Sequence, residues 1–593
     1  MKNIAESIVN YFADCGVTNA FCVTGGAAMH LNSALQTNSS IKVTYNHHES
    51  ASAMSAEGYA RIADKPAILC VTSGPGALNA FNGIFGAYTD SVPMIVLAGQ
   101  VRSDTQAEQQ SQIRQLGDQE LRSMQMVPSI TKAQFSISNV LELETALPAA
   151  WIAATSSRPG PVWIEVPVDI QALPSSQIEI PLPQEEKPRE INPADIEAVI
   201  THLRAAERPL ILAGSGVRIG GAISQLREFA ERTKIPLMSA WTHDIFDNKS
   251  DLYFGRPGTI GTRDSNLILQ QADLLLVLGS RLNIRQVSYN HVSFAKSAKV
   301  LQVDVDPNEL DKAFPRKDLT IAGDIGEFLS AMMHSIQDSD FEFSAWVNRC
   351  RNVASKYSPR MEDYPQRSKL RPNPYLLVKS LFQMARENAI FACGNASACI
   401  IPFQIGRISG NQRMFSNSGS ASMGYDLPAA IGAAMATKDV DVFAICGDGS
   451  IMMNIQELAT VVQECLPVKI LVLDNSGYLS IRQTQQNFFS AEFGSSKDSG
   501  LVFPDFSLVA KAFGLPSVVI EGDDWKGSLN EFVEHPGPIL GWAKVDETQG
   551  FEPRLKSRLE NGQIRTPELD DMFPFLETAE LEEIRHYLRG EDQ

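Results

Sequence analysis

The sequence contains a Gly-Asp-Gly turn and an asparagine that are separated by one complete strand–helix–strand pattern. An apolar run at residues 440–446 ends in Gly447-Asp448-Gly449-Ser450, and a second run at residues 469–473 ends just before Asn475. An amphipathic stretch at 454–465 lies between the two runs, which is typical of a parallel βαβ unit. The carboxyl ends of parallel strands meet at the edge of the sheet where ligands bind. The pattern therefore predicts an α/β fold with a binding site at this edge.

The residues at this edge have the chemistry of a magnesium-diphosphate site. Mg²⁺ prefers oxygen ligands in octahedral geometry, and a bound diphosphate needs a divalent cation. Asp448 offers a carboxylate, Asn475 an amide oxygen and Gly477 a backbone carbonyl. Glycines next to Asp448 let backbone N–H groups approach phosphate. We predict that Asp448, Asn475 and Gly477 are the metal ligands.

Strand-like and helix-like segments alternate through three blocks, which predicts three doubly wound parallel-sheet domains. We place them at residues 1–175, 191–338 and 370–545, with polar, proline-rich linkers at 174–193 and 355–374 and a charged tail at 546–593. The predicted strands are residues 20–23, 41–45, 67–72, 94–98 and 162–166 in the first block, 210–213, 237–240, 274–278 and 300–303 in the second, and 389–392, 440–446 and 469–473 in the third.

Composition excludes several classes of protein. The net charge of −18 argues against nucleic acid or an anionic membrane as the main partner. The longest apolar runs are far too short to span a membrane, and the N-terminus lacks the apolar core of a signal peptide. The eight cysteines form no Cys-x-x-Cys pair and the nine histidines do not cluster at zinc spacings. These features predict a cytoplasmic protein with reduced thiols and without a transition-metal site.

Longer segments resemble a known family. The first block contains NHHESASAMSAEGYAR and VTSGPGALNAFNGIFGAYTDSVPMIVLAGQ, and the third contains SASMGYDLPAAIGAA before the Gly-Asp-Gly turn. In this order, over roughly residues 1–545, the segments resemble the acetohydroxyacid synthase group of thiamine diphosphate enzymes. The resemblance implies a decarboxylating carboligase that takes a two-carbon unit from pyruvate, with thiamine diphosphate and Mg²⁺ as cofactors.

The resemblance also assigns residues. Glu49 falls on the family's glutamate that protonates the cofactor pyrimidine at N1′, so we expect an apolar setting and a raised pKa for it. Gln119 and Gly26 fall on further catalytic positions, and Met423 on the bulky residue that bends the cofactor. The positions matched to cofactor binding are Pro75, Asn79, Gly394, Asn395, Ala396, Ala421, Met423, Gly449 and Ser450. Because the family binds the two ends of the cofactor with different subunits, a homodimer or homotetramer is expected.

The middle block suggests a second cofactor. Its segment PLILAGSGVRIGG is a poor dinucleotide fingerprint, because Ile219 stands at the third glycine position. The order of GRPGTIGTR, LGSRLNIRQ, VDVDP and GDI nevertheless resembles the FAD-binding middle domain of the family, in which the flavin has no net redox role. The resemblance implies FAD contacts at Arg158, Gly214, Gly216, Gly279, Arg281, Arg285, Asp304 and Asp324. The alternative is that these residues form ordinary turns that bind nothing.

Three departures from the family pattern concern the substrate. Thr484 stands where the family has a tryptophan that shapes the acceptor pocket, Val168 replaces a lysine, and extra residues, QAEQQSQIRQLGD, precede Gln119. Loss of a tryptophan removes a large wall, which favours a bulkier acceptor. Together with the segment VTGGAAMHLN and the long tail, these three departures resemble yersiniose-type carboligases, which transfer the two-carbon unit to a nucleotide-linked keto-sugar. The tail, residues 546–593, is expected to be an active-site cap.

Other interpretations remain open. One is the catalytic subunit of an acetolactate synthase, in which a second pyruvate is the acceptor. Another is an oxidoreductase of the pyruvate oxidase type, in which FAD accepts electrons. A third is a homologue that binds cofactors without catalysis, against which Glu49 and the intact Gly-Asp-Gly and Asn475 pattern argue.

Overall fold

A computed structural model describes residues 2–107, 112–175, 178–184, 190–242, 244–337, 341–560 and 563–591. Residues 108–111 of the predicted insertion, and residues 176–177 and 185–189 of the first predicted linker, lie outside the described residues. No helix in the described ranges is long and apolar enough to cross a membrane.

The N-terminal domain is a six-stranded parallel sheet in the order β2-β1-β3-β4-β6-β5. The central strands β1, β3, β4 and β6 are buried along their whole length, as in sheets that are covered by helices on both faces. The strands are β1 Asn19–Cys22, β2 Lys42–Tyr45, β3 Ala67–Val71, β4 Met94–Gln100, β5 Ala133–Ser136 and β6 Pro161–Pro167. The helices are α1 Ile4–Asp14, α2 Met29–Thr37, α3 Glu49–Ala63, α4 Pro75–Thr89, α5 Ser123–Met126, α6 Leu143–Thr155 and α7 Val168–Gln171.

The middle domain is a five-stranded parallel sheet in the order β11-β10-β9-β7-β8. Its strands are β7 Pro209–Ala213, β8 Leu237–Ser239, β9 Leu274–Leu278, β10 Lys299–Asp304 and β11 Leu319–Ala322. Its helices are α8 Pro193–Ala205, α9 Gly216–Ile219, α10 Ile223–Thr233, α11 Arg263–Gln271, α12 Ile284–Val287, α13 Pro307–Leu310, α14 Ile325–Ser335 and α15 Ser344–Tyr357.

The third domain has six strands in the order β13-β12-β14-β15-β17-β16, of which β12, β14, β15, β17 and β16 run parallel. The strands are β12 Ile390–Cys393, β13 Arg413–Phe415, β14 Val442–Gly447, β15 Val468–Asp474, β16 Ser517–Ile520 and β17 Ile539–Lys544. The helices are α16 Pro374–Met384, α17 Ser397–Ile405, α18 Asp426–Met435, α19 Asp448–Ile451, α20 Leu458–Gln463, α21 Leu479–Phe489, α22 Phe506–Ala512 and α23 Trp525–Glu534. The predicted fold class, three parallel-sheet domains, is thus confirmed.

The chain divides into two compact units, and the first contains residues 1–186, 388–398 and 416–545. Helices α3 and α18 pack closely within this unit. A Cβ at Gly58 would lie 2.2 Å from the Ala429 carbonyl oxygen, and one at Gly432 would lie 1.9 Å from that of Ser55. Two glycines therefore allow the backbones to touch, which joins the helix that begins at Glu49 to the helix that follows the Met423 turn.

The second unit contains residues 187–387, 399–415 and 546–593. The tail adds a hairpin, β18 Arg558–Glu560 and β19 Gln563–Arg565, and the helix α24 Thr578–Arg589. Helix α24 packs on α11 and α15, and Leu569 and Leu588 are fully buried in the same core as Trp346. The tail is therefore an integral part of the folded second unit. Its role as an active-site cap stays a prediction.

Candidate active site

Two loops meet at the carboxyl edge of the third sheet, as the sequence predicts. Strands β14 and β15 are neighbours, and Gly447 is in register with Leu473, so Asp448 and Asn475 leave the sheet side by side. Asp448 is buried, and its carboxylate accepts hydrogen bonds from the Gly449 amide at 2.7 Å and the Gly477 amide at 2.8 Å. One carboxylate thus connects the two loops.

The side chain of Asn475 has an unused acceptor. Its Nδ2 donates to the Ser397 hydroxyl at 3.1 Å, whereas its buried Oδ1 has no hydrogen-bond partner. A buried oxygen without a partner is costly, so this acceptor is available to a ligand. The carboxylate of Asp448 and the Gly477 carbonyl, which accepts one bond from Leu479, complete a set of hard oxygen donors. This set fits Mg²⁺.

Burial also disfavours the charged form of the Asp448 carboxyl. Burial raises the pKa of this carboxyl to about 8, and the neighbouring Asp474 adds to the effect. A divalent cation would stabilise the ionised form. The described residues contain no cluster of three or more His, Cys, Asp or Glu side chains that could hold a metal ion. The donor set of carboxylate, amide and carbonyl oxygens is a candidate metal site of a different composition.

The glycines beside Asp448 and Asn475 have packing reasons that the sequence does not reveal. A Cβ at Gly449 would lie 2.1 Å from the ring of Tyr478. Gly477 has φ +141°, and a Cβ there would lie 2.1 Å from the Ser495 carbonyl oxygen. The second glycine of the Gly-Asp-Gly turn is therefore required by the loop that follows β15, besides any approach to phosphate.

Two further turns lie beside this loop. The turn Gly394-Asn395-Ala396 follows β12, and the Asn395 amide donates to the Ala421 carbonyl at 3.4 Å. Ala396 and Ala421 both have positive φ. The Ser450 hydroxyl accepts the Gly424 amide at 2.8 Å, and Gly424 directly follows the half-buried Met423. The predicted cofactor positions of the third domain thus lie in three connected turns.

Glu49 begins helix α3, which follows strand β2 after a short loop. It is 8% exposed, and its Oε2 accepts a hydrogen bond of 3.0 Å from the side-chain amide of Asn79 on α4. A Cβ at Gly76 would lie 3.0 Å from the Glu49 Oε1, so the glycine leaves room for the carboxylate. Glu49 and Asn79, which the family resemblance assigned from two separate segments, are therefore in direct contact. Pro75 begins helix α4, which also contains Asn79.

Gln119 and Gly26 also lie at the carboxyl edge of the first sheet. Gln119 has φ +62°, and its carbonyl oxygen would lie 2.6 Å from a Cβ at Gly74, just before Pro75. Gly26 begins a short turn after β1, and a Cβ placed on it would meet nothing within 4 Å. The space beside Gly26 is open, and its catalytic role stays a prediction.

The two predicted acceptor-pocket residues lie in the first unit. Val168 is the first residue of α7 and follows β6 at the carboxyl edge of the first sheet, where it is half-buried. Thr484 lies on α21, is exposed, and donates its hydroxyl to the Ser480 carbonyl at 3.0 Å. A Trp at this position would project from the same exposed face.

In the middle domain, packing between two turns of the same domain explains why Gly214, Gly216 and Gly279 are glycines. A Cβ at Gly214 would lie 2.2 Å from the Gly279 carbonyl oxygen, and one at Gly216 would lie 2.8 Å from the Gly279 Cα. The turns after β7 and β9 are therefore in backbone contact, which requires glycine without any ligand. Asp324 caps α14 through the amides of Gly326 and Glu327, and Asp304 accepts the Asp306 amide.

Three arginines complete the set predicted for FAD. Arg281 and Arg285 follow β9 at the carboxyl edge of the middle sheet, and Arg285 is exposed. Arg158 lies in the first unit and donates to the Ser91 hydroxyl at 2.8 Å. Two guanidinium groups at the ligand edge of a parallel sheet fit a pyrophosphate.

Sequence reasoning missed two residues of the site. Ser397 holds the Asn475 amide, and Asp426 accepts the Ser450 hydroxyl at 2.6 Å. Asp426 is a carboxylate at the start of an otherwise apolar segment, LPAAIGAA, and this was the signal available in the sequence. Ser397 gave no such signal, because its role depends on the approach of two loops.

Comparisons with known proteins agree with this geometry. Residues 2–123 match the N-terminal TPP binding domain of thiamine pyrophosphate enzymes, residues 196–332 the central domain, and residues 395–540 the C-terminal TPP binding domain. The chain is 30% identical over 564 residues to the acetolactate synthase isozyme 2 large subunit of Escherichia coli (strain K12), which covers 95% of this chain and 99% of the relative. It is 31% identical to acetolactate synthase 1, chloroplastic, of Oryza sativa subsp. japonica, over 90% of this chain and 83% of the relative.

Proposed function

Because the chain belongs to the thiamine diphosphate (thiamine pyrophosphate) enzymes of the acetolactate synthase type, we propose that it joins a two-carbon unit from pyruvate to a ketone larger than pyruvate. The acceptor that we propose is a nucleotide-linked keto-deoxysugar. The observation that carries this choice is Thr484, a small side chain on the exposed face of α21 where the resembling family has a tryptophan. A smaller residue leaves more room for the acceptor.

When bound, thiamine diphosphate supplies a thiazolium carbon that becomes nucleophilic toward a 2-keto acid. The proposed role of Glu49 is to hold and move a proton at the pyrimidine N1′ atom. The Asn79 amide, 3.0 Å from Glu49 Oε2, fixes the carboxylate, and burial excludes water from it. Gln119 and Gly26 are proposed to contact the reacting groups, because both lie at the same sheet edge as Pro75.

The diphosphate end is proposed to be held by the third domain. Asp448, Asn475 and Gly477 would hold Mg²⁺, and the support is the unused Asn475 Oδ1 beside the buried Asp448 carboxylate. Met423 would contact the cofactor from the turn that Ser450 holds. The remaining proposed contacts are Gly394, Asn395, Ala396, Ala421 and Gly449.

An acetolactate synthase catalytic subunit is the second candidate. The relatives with 30–31% identity over most of the chain are acetolactate synthases, which favours pyruvate as the acceptor. The two candidates share the donor half of the reaction and differ in the acceptor alone. The test is therefore to incubate the enzyme with pyruvate, and then with pyruvate and CDP- or dTDP-linked 4-keto-deoxysugars, and to identify the products by mass spectrometry. Acetolactate as the sole product in both reactions would reject the sugar acceptor.

We expect that Thr484→Trp lowers kcat/KM for the bulky ketone and spares or improves it for a second pyruvate. The substitution adds a large apolar body, and the lost Ser480 hydrogen bond is worth only about 1 kcal/mol. Steric exclusion should therefore decide the outcome. The measurement is the ratio of kcat/KM for the two acceptors in each protein.

Thr484→Val is the matched control, because it removes the hydroxyl without adding bulk. Its ratio should stay close to that of the unmodified protein. Equal ratios for Thr484→Trp and Thr484→Val would mean that position 484 does not line the acceptor site. Val168→Lys tests the second pocket position by the same ratio.

We also propose that the middle domain binds FAD without net redox change, through Arg281 and Arg285 at the sheet edge. Arg158, Gly214, Gly216, Gly279, Asp304 and Asp324 are the other proposed contacts. Flavin absorbance in the purified protein tests the proposal, and a spectrum without flavin after reconstitution with FAD would reject it.

A homodimer or homotetramer is proposed because α4 carries large apolar side chains that one chain leaves exposed. Leu78, Phe85 and Tyr88 lie at helical spacing on this helix, which also bears Asn79. Burial of such a face by a second copy would stabilise the assembly. A monomer by light scattering at micromolar concentration would contradict the proposal.

A further inference from the structure

Asp426 is a buried carboxylate at the centre of the proposed cofactor site that the mechanism above leaves without a role. It is the first residue of α18 and has no exposed surface. Its Oδ2 accepts the Ser450 hydroxyl at 2.6 Å, and its Oδ1 accepts the Leu427 amide at 3.0 Å. Burial raises the pKa of this carboxyl. The described hydrogen-bond partners of Asp426 are uncharged donors.

The carboxylate contacts two turns of the third-domain site directly and is linked to the third through Ser450. Ser450 belongs to the turn that carries Asp448, and its hydroxyl also accepts the Gly424 amide at 2.8 Å, next to Met423. The Gly394 turn lies directly on the carboxylate, because a Cβ at Gly394 would lie 2.3 Å from Asp426 Oδ2. Asp426 thus sets the distances between these turns.

The hydrogen-bond directions define what Ser450 does. A serine hydroxyl has one proton and two lone pairs. The proton is donated to Asp426, and one lone pair accepts the Gly424 amide. The hydroxyl of Ser450 is therefore committed to holding the turn that carries Met423, and its proton is not available to a diphosphate.

We propose that Asp426 is a positioning residue for the cofactor: it accepts the hydrogen bond of the Ser450 hydroxyl and so fixes Ser450 as the acceptor for the Gly424 amide. The proposal rests on the cofactor placement proposed above. A carboxylate suits this role because it only accepts, whereas an asparagine would present an N–H either to the Ser450 hydroxyl or to the Leu427 amide. Asp426→Asn therefore reverses or loses one of these bonds at almost constant volume.

The test is a double-mutant cycle of Asp426→Asn and Ser450→Ala, with the Kd of thiamine diphosphate measured by calorimetry at saturating Mg²⁺. Each single variant is expected to raise Kd by about 10-fold, the scale of a hydrogen bond to a charged group. The double variant should be no worse than the weaker-binding single variant, because the two residues act through one bond. The KM for pyruvate at saturating cofactor should stay unchanged.

Additive effects in the cycle, or an unchanged Kd in Asp426→Asn, would overturn the proposal. Failure of the unmodified protein to bind thiamine diphosphate would instead overturn the cofactor placement, so the two failures are distinguishable. If Asp426→Asn does not fold, Asp426→Ser replaces it in the cycle with the same expected result.

The second unit supplies a matched control. Asp264 is likewise buried at the first turn of a helix, α11, and accepts the hydroxyl of Ser358. Asp264→Asn and Ser358→Ala should lower the Tm of the apo protein and leave the Kd of thiamine diphosphate unchanged. An equal rise in Kd for this pair would show that any buried carboxylate–serine contact has the effect, and would overturn the specific role of Asp426.

Discussion

Glu49→Gln is expected to lower kcat by about 10²-fold or more, the scale for removal of a positioned acid–base group, while thiamine diphosphate and Mg²⁺ remain bound. Glutamine keeps the volume of the side chain, and its amide oxygen can still accept the hydrogen bond from Asn79. The fold and the cofactor pocket are therefore retained, whereas the group that exchanges a proton with N1′ is lost. The measurement is kcat under saturating substrate, together with the cofactor content of the purified variant.

Glu142→Gln is a suitable control, since Glu142 lies in the same domain but bonds locally to Ser138 and Asn139. Its kcat should equal that of the unmodified enzyme. A Glu49→Gln variant that retains full cofactor and an unchanged kcat would remove Glu49 from the mechanism.

Asp448→Asn and Asp448→Ala are expected to lose Mg²⁺ and, with it, thiamine diphosphate. Loss of a supporting contact around a metal ligand already costs about 10–100-fold in affinity, so loss of the carboxylate itself should weaken Mg²⁺ binding by at least about 10²-fold. The amides of Gly449 and Gly477 bond to different oxygens of Asp448, so asparagine can accept only one of them. Asp448→Asn therefore removes the charge and one loop contact, whereas Asp448→Ala removes the charge and both contacts. Dialysed protein is assayed for bound thiamine diphosphate and for Tm.

Asp505→Asn serves as the control, because it removes an exposed carboxylate of the same domain and asparagine is an equally good N-cap for α22. It should retain stoichiometric cofactor. If dialysed Asp448→Asn also retained stoichiometric cofactor, the metal role of Asp448 would be wrong.

The sequence determined the central strands because both faces of a parallel sheet are covered. Such strands are continuous apolar runs, and β9 has the predicted bounds while β3 and β14 differ by one or two residues. The missed strands β5, β11, β13 and β16 lie at sheet edges, where exposure mixes polar residues into the run. Strand β17 is central, but Gly541 interrupts its apolar pattern because the Phe532 ring packs against it.

The sequence also determined where Glu49, Asp448 and Asn475 lie, because each directly follows a strand or starts a helix, and strand ends share one edge of the sheet. Which partners these side chains have was decided by the tertiary structure alone. Ser397 and Asn475, Asp426 and Ser450, and the Tyr478 ring over Gly449 are contacts between segments that are distant in sequence or fixed by loop geometry. A local pattern has no information on such contacts, because close packing of separate loops determines them.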